Sequence, residues 1–499
     1  MHRKTLTVIA ACFIGLLGCN VPALAQSTPQ ASKAITASTR CEGTTLPGEL
    51  APTPSDPYPL NAAGWGPEAD HGLMFSRWAE DWTGMHAGEG LPPLKGMALG
   101  AGTSLTLSAE ARLRHDTFTH AQAKQGNSYH QGLYRGVLGA DLRLDSHVRI
   151  YSELATGQVD TGRSTASANL QNSLALQQFF LDLREPVGSG IVGAMVGRQE
   201  FSDGPRQLIS LSDGPNLHRT WNGVRLYAHA QRYRVGYFDL RATQLGTGYF
   251  DESIRSDERI QGLNASLIAT PGAGPNTYLD AFWIRNDNAH FRYGAASGRD
   301  QRDTLGLRLW GRQGQFRYDW TLAYQDGVSI GRDVSAWAVF AVQSVGLSDQ
   351  GWKPRLTAHV DIASGGGAGA GKTKGFNQLY ASSSYLGEGR FLSLTNLALV
   401  APGMSLSPTA ATNLSFEYGI ARRLAANDAA YAGGMQAFAG TQGLPGHDVG
   451  RLSRIVASWS PHESLTLFAN VEHLSAGALL RQANLPSGSY SAVGATIRY

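Results

Sequence analysis

The sequence predicts an all-β protein, a transmembrane antiparallel β-barrel of the outer-membrane type with about 18 strands. Three observations carry this prediction. Only 16% of the 499 residues are charged, while 60 are Gly, 18 Tyr and 10 Trp, a balance that is apolar and aromatic for a chain with no long apolar helix. The N-terminus has the form of an export signal. From about residue 100 onward, apolar and polar residues alternate with period 2, as strands with one apolar and one polar face require.

The N-terminus comes first. Residues 1–4 are a short basic start, residues 5–18 an apolar run of 14, and Ala23-Leu24-Ala25 an A-x-A cleavage site. The run is too short to cross a bilayer as a helix, so residues 1–25 read as a secretory signal peptide with maturation at Gln26. Leu16-Leu17-Gly18-Cys19 offers a second reading, a lipobox that would lipidate Cys19; an uncleaved anchor is a third. Cys12 and Cys19 lie in the signal, so the mature chain keeps Cys41 alone and neither an intramolecular disulfide nor a cysteine metal site is expected. Residues 26–74, rich in Ser, Thr, Pro and Ala, read as a flexible N-terminal segment, and residues 75–499 as the barrel. No run of 18 apolar residues follows Gly18, which excludes a helical membrane protein. A net charge of +3 does not suggest a nucleic-acid partner.

The strands follow. Leu105, Leu107, Ala109, Ala111 and Leu113 alternate with Thr106, Ser108, Glu110, Arg112 and Arg114. Val148, Ile150 and Leu154 alternate with Arg149, Tyr151 and Glu153; Leu356, Ala358, Val360 and Ile362 with Arg355, Thr357, His359 and Asp361. The segments around Trp320, Phe416 and Leu467 repeat the pattern. A soluble sandwich would alternate too, with its apolar face inward. The inverted arrangement is favoured because roughly 400 residues at about 22 per strand and connection give about 18 strands. Trp310, Tyr318, Trp320, Tyr324 and Trp459 recur near strand ends, as interfacial girdles require. The last strand, with Val493, Ala495 and Ile497 on one face, closes the chain on the aromatic Tyr499, a form that resembles the assembly signal of bacterial outer-membrane barrels.

Short motifs point further. Arg77-Trp78-Ala79-Glu80-Asp81-Trp82 and Leu94-Lys95 precede the strand from Ser108 to Arg114; Gln177, Phe180, Leu181, Asp182 and Leu183 come next, followed by Gly197-Arg198-Gln199-Glu200. Asp203-Gly204 and Arg206 are followed by Arg219, Trp221, Gly223, Val224 and Arg225, and weaker similarity runs through Asn396-Leu397. In this order they resemble the alginate export family over about residues 75–499, with Ser108-Ala109 where Gly is usual and Asn222 in place of Asp. The resemblance implies an 18-stranded barrel in the bacterial outer membrane whose electropositive lumen passes an anionic exopolysaccharide outward without hydrolysing ATP. The partners it implies are that polysaccharide, outer-membrane lipid and periplasmic proteins of an export complex.

The residues supply a physical account of the same task. Of the 42 basic residues 35 are Arg. A charge on the lipid side at mid-membrane costs about 2–4 kcal/mol, so strand arginines are expected to face the lumen. Guanidinium pairs with carboxylate through two hydrogen bonds, and a ladder of weak sites would pass a polyuronate without stalling it. The candidate path comprises Arg112, Arg114, Arg143, Arg149, Arg198, Arg219, Arg225 and Arg241. Its acidic members are Glu110, Asp141 and Glu153, with Asp182 and Asp203 setting arginine geometry at a constriction. Arg308, Arg317, Arg355, Asp239 and Asp319 share such faces. The competing reading is that these pairs merely brace the barrel. A slip of one residue inverts every face, and the strand of Arg198 reads in either phase.

Three further patterns are set aside. Residues 366–373 (G-G-A-G-A-G-K-T) match a phosphate loop but lead into no helical periodicity, as a working loop must. Gly327-Val328-Ser329-Ile330-Gly331 matches a nucleophile elbow but is flanked by strands, so a hairpin is expected. His447-Asp448 reads as a loop pair, and no His spacing suggests a metal. Neither catalytic residues nor a cofactor are expected. Two further readings remain open: an uptake porin for small anionic solutes, and an outer-membrane hydrolase.

Overall fold

The computed structural model describes residues 72–83, 85, 90–161, 166–202, 207–230, 232–269, 277–366 and 371–499. The expected signal peptide, Cys19, Cys41 and Asp203 lie outside them.

Eighteen antiparallel strands form one closed sheet. They are β1 Thr103–Thr119, β2 Tyr129–Arg143, β3 Val148–Thr161, β4 Asn172–Val187, β5 Gly190–Glu200 and β6 Thr220–His229. Next come β7 Tyr233–Gln244, β8 Ser253–Ile268, β9 Thr277–Tyr293, β10 Ala296–Gln313, β11 Phe316–Ser329 and β12 Arg332–Gly346. The last six are β13 Arg355–Ala363, β14 Leu397–Thr409, β15 Thr412–Arg422, β16 Asp448–His462, β17 Leu465–Ala476 and β18 Gly488–Arg498. Each strand pairs with its sequence neighbours, and β1 pairs with β18 so that Glu110 faces Arg498 and Phe118 faces Tyr490. Closure leaves no unpaired edge in the barrel, the condition for strands to cross lipid. A short edge strand, Met97–Gly100, adds to β1. Among the described residues no helix is long and apolar enough to cross a membrane.

The faces are inverted relative to a soluble protein, as predicted. On β1, Glu110, Arg112, Arg114 and Asp116 are buried while Leu113 is 57% exposed. Leu138, Leu322, Val400, Phe416 and Val493 are exposed on their strands, while Arg302, Arg308, Thr304, Asp361 and Glu472 are buried. In lipid the outer face needs apolar groups and the inner face collects the polar ones. Trp320, Tyr324 and Trp459 stand on the outer face as expected of girdle residues. Trp310 does not. It shares the inner face with Arg308, stacks on Tyr278 with ring centroids 4.1 Å apart, and donates its indole N–H to Asp280 at 2.7 Å. Tyr318 is covered by Phe316 and Trp320.

The two ends differ. At the end where β1 starts and β18 finishes most connections are short, 188–189, 314–315, 410–411 and 463–464 among them. At the other end lie 201–219, 364–396 and 423–447. In outer-membrane barrels short turns face the periplasm and long loops the exterior, so the start of β1 and Tyr499 lie on the periplasmic side. The long loops do not stand clear of the barrel. Phe376, Phe391, Leu392 and Leu394 of the 364–396 loop are buried in a cluster with Phe238, Leu240, Ile260, Ile284, Ala336, Ala338 and Phe340 of the inner wall.

Candidate functional site

The lumen is the candidate site, and three of the chain segments that enter it shape the site. The first is a strap, residues 72–82, that enters from the periplasmic end with one 3-10 turn at Arg77–Ala79. Trp78 fills an aromatic pocket of Tyr151, Phe180, Met195 and Tyr227, and donates its indole N–H to Glu200 at 3.1 Å. Arg149 donates to the Trp78 carbonyl. Arg143 donates to the Asp81 carboxylate at 2.7 Å and to the Glu80 carbonyl at 3.2 Å. Glu80 is held in turn by Arg77 at 3.0 Å, Lys95 at 2.9 Å and the Trp82 indole at 2.9 Å. Unpaired charge is costly in a buried site, which explains why the strap brings acceptors to Arg143 and Arg149.

The second segment belongs to the 201–219 loop, whose described residues 207–219 lie against the middle of β1 and β2. Arg112 donates to the carbonyls of Asp213 at 2.7 Å and Pro215 at 2.6 Å. Arg135 bridges Asp213 and Glu110, both at 2.6 Å, and Glu110 also holds Arg498 at 2.8 Å. His218 sits between Asp213, 2.7 Å from Nε2, and Glu200, which contacts Nδ1. Burial disfavours the charged imidazole, but Glu200 and Asp213 outweigh it and push the group up to about 10. The void left among Arg77, Glu110, Arg135 and His218 is only about 10 Å³, room for about one water. This layer is a septum.

The third segment is the 364–396 loop. Its apolar side chains pack on the inner wall, and its backbone is held by polar groups of the same wall. Arg302 donates to Gly375, Gln325 to the Asn377 carbonyl, and Arg454 to Ser384 at 2.9 Å. Glu388 reaches across to Arg114 at 2.5 Å and accepts from Tyr490 at 2.9 Å. Between this loop, β1, β2 and the 201–219 loop, a cavity of about 820 Å³ remains toward the exterior. Its wall includes Gln122, Lys124, Gln125, Arg219, Arg390 and Gln436.

The sequence profile of the alginate export family matches residues 103–493, from the start of β1 into β18. The chain belongs to the alginate export family. No curated protein sequence matches it. Among solved structures, OccAB1 of Acinetobacter baumannii is similar at TM-score 0.54 and 10% identity, over 81% of this chain and 99% of that one. OccK2 of Pseudomonas aeruginosa, solved with glucuronate, is similar at TM-score 0.52 and 10% identity, over 80% of this chain and 98% of that one. OpdK of Pseudomonas aeruginosa, solved with vanillate, reaches 0.53 at 10% identity, over 79% and 98%. At such identity the likeness is one of fold: this alginate export family member shares the architecture of outer-membrane porins, and its place is the outer membrane.

Measured against that family's expected path, the predicted residues divide. Glu110, Arg112, Arg114, Asp141, Arg143, Arg149, Glu153, Asp182 and Arg225 are all buried on the inner face. Most bind one another or the inserted segments. Asp141 joins Arg143 at 3.2 Å and Arg149 at 2.7 Å. Asp182 accepts from Tyr227 at 2.8 Å, Glu153 from Tyr151 at 2.8 Å, and Arg225 lies over Trp78 and Phe201. Arg219 reaches the carbonyls of Ser210 and Tyr380 at the cavity wall. Two placements are corrected. Arg198 shares the face of exposed Val196, opposite buried Met195, and is tied to Asn222 and to Glu252 at 3.3 Å. Arg241 is exposed between buried Leu240 and Ala242, and Asp239 shares its outward side, paired with Arg259. The cost of charge in lipid had argued for an inward Arg241. It does not apply where the strand rises beyond the bilayer: the outer face of β7–β10 at the loop end carries a ladder of ion pairs, Arg285 with Asp303 and Arg299 with Asp287 among them.

Sequence reasoning missed Arg135, Asp213, His218, Glu388 and Arg498, and with them the seals. The signal was available in part: Phe238, Leu240, Ile260 and Ile284 are apolar residues at inward positions, where a water-filled lumen would want polar ones. Of the patterns set aside, the 327–331 stretch forms the expected hairpin, the 366–373 stretch lies partly outside the described residues, and His447 and Asp448 take separate partners, with Asp448 opening β16. Thr373 pairs in an extended bridge with Val334, and Ile330 with Gly331 closes the hairpin after Ser329. His447 Nδ1 contacts the Arg423 carbonyl, while Asp448 holds Arg451. Among the described residues no cluster of His, Cys, Asp and Glu is arranged to hold a metal.

Proposed function

We propose that this chain is an outer-membrane porin that secretes an anionic exopolysaccharide, alginate or a similar polyuronate, and that the structure is the conduit at rest with its lumen closed. The observation that supports this reading is the outer cavity. Lys124 and Arg390 are exposed in its wall, with the amides of Gln122, Gln125 and Gln436 beside them. Cations attract carboxylates, amides bond sugar hydroxyls, and contacts of this open kind are weak enough to release a moving polymer. The family supplies the direction, export, and outer-membrane lipid covers the apolar face. Periplasmic proteins of an export complex would deliver polymer to the terminal end, where the strap lies. A second reading, uptake of small anionic solutes, is favoured by one observation: the similar barrel of OccK2 was solved with glucuronate, a single uronate unit.

Planar-bilayer recording of the mature protein tests both. Added polyuronate is expected to block an anion-selective current, and the double substitution Lys124→Glu, Arg390→Glu to weaken the block by about tenfold or more, the effect of losing two charged contacts. Cation selectivity, or indifference to polyuronate, would overturn the proposal. Block by monomeric glucuronate as strong as by polymer of equal carboxylate content would favour uptake.

A further inference from the structure

The seal at the periplasmic end is chemically unlike the septum above it. Arg143 and Arg149 sit at the ends of β2 and β3, beside the turn 144–147, and share one fixed carboxylate, Asp141. Asp182 on β4 faces Arg149 but is shared with Arg184 and Arg225, so guanidiniums outnumber carboxylates here and positive charge is left over. The strap neutralises it with Asp81, 2.7 Å from Arg143, and offers the carbonyls of Glu80 and Trp78 to one further donor of each arginine. Behind the arginines lies the aromatic pocket that Trp78 fills: Arg149 stands over Tyr151 at 5.7 Å and Phe180 at 5.9 Å. Without the strap, this place would offer an excess of positive charge, a fork of N–H donors and flat aromatic faces. A uronate unit presents one carboxylate, several hydroxyl and ring oxygens, and a C–H face that lies well on an aromatic ring. Asp81 is the strap's outermost contact here, its side chain 23% exposed against 1% for Glu80, so an arriving carboxylate meets that pair first.

We infer that Arg143, Arg149 and the pocket of Tyr151 and Phe180 form a binding site for one hexuronate unit of an acidic polysaccharide, and that Asp81, Glu80 and Trp78 occupy it as a built-in stand-in for that unit. This rests on the export reading above. The polymer opens the seal at the periplasmic end: its carboxylate replaces Asp81 on Arg143, its ring takes the place of the indole, and the strap leaves. A ligand shifts such an equilibrium only by its difference in affinity for the two states, and here the difference is large because the site is free only when the strap is out.

The strap carries its own reporter. Arg77 is 4% exposed, so trypsin reaches the bond after it only when the strap is displaced. With the full mature protein in detergent micelles, an oligomer of mannuronate is expected to speed cleavage after Arg77 several-fold, and a neutral dextran oligomer of equal length to leave it unchanged. Asp81→Asn, at a partly exposed position that does not endanger folding, is expected to speed cleavage without ligand by about tenfold, as loss of a charge-assisted hydrogen bond implies. Arg143→Gln is expected to abolish the response to the oligomer. If polyuronate blocks the bilayer current while Arg77 stays protected, the inference fails and the export reading stands. If it neither blocks nor exposes Arg77, both fail. If dextran acts equally, carboxylate recognition is overturned.

Discussion

Arg285 and Arg302 carry the same group on adjacent strands and do different work. Arg285 stands on the outer face, its side chain 54% exposed, paired with Asp303. Arg302 is 2% exposed on the inner face and grips Asp300 through Nε and Nη2, while Nη1 reaches Gln325 and the Gly375 carbonyl. Water screens the first pair, so Arg285→Gln is expected to cost under about 1 kcal/mol. Arg302→Gln strands the buried Asp300 and loosens the 364–396 loop, at about 3–5 kcal/mol. Urea unfolding in lipid vesicles reads both; equal costs would contradict the burial argument. The same distinction applies to the predicted path, where an arginine's type told little and its surroundings decided whether it braces, seals or recognises.

Among the elements, the loops do more than connect strands. The 201–219 loop closes the barrel through His218, which Glu200 and Asp213 hold in its charged form. Its folded value of about 10 lies above the ordinary 6.5. A raised value means the contribution is fully present below the unfolded value and fades as pH rises through the folded one. The septum is therefore expected to hold at neutral pH and to loosen as pH passes about 10, seen as a rise in bilayer conductance that His218→Gln removes. A conductance flat up to pH 11 in the unaltered protein would contradict this. The 364–396 loop resists such a switch, because its hold on the inner wall is largely apolar, with Phe376 and Phe391 almost fully buried, and apolar contacts carry no proton.

At the scale of the whole molecule, closure and the lipid-facing band hold the barrel together, and the packed lumen adds to them. The seam between β1 and β18 is hydrogen-bonded from Glu110↔Arg498 to Thr119↔Ser489 and braced inside by the Glu110–Arg498 ion pair. Val493 lies on the outer side of that seam, 57% exposed. Val493→Arg places a charge in the apolar band and is expected to cost about 2–4 kcal/mol near the bilayer centre, read as a lower urea midpoint in vesicles. Insensitivity there would mean the residue lies outside the hydrocarbon.

The sequence by itself determined the barrel, the strand faces and the family, because each depends on local order: a period of 2 sorts side chains onto two faces whatever lies beyond the strand. Leu105 to Arg114 and Arg355 to Ile362 therefore read true. What fills the lumen was decided by tertiary structure alone. Arg241 turned outward because β7 outruns the bilayer, Trp310 turned inward because Tyr278 and Asp280 offered it a stack and an acceptor, and Arg198 followed a register that either phase of its sequence allowed. Arg135, Asp213 and His218 became a septum only because a loop from one part of the chain met strands from another, and Asp81 found Arg143 across 62 positions of sequence. Pairings of that kind depend on the path of the whole chain, which alternation along a single strand does not record.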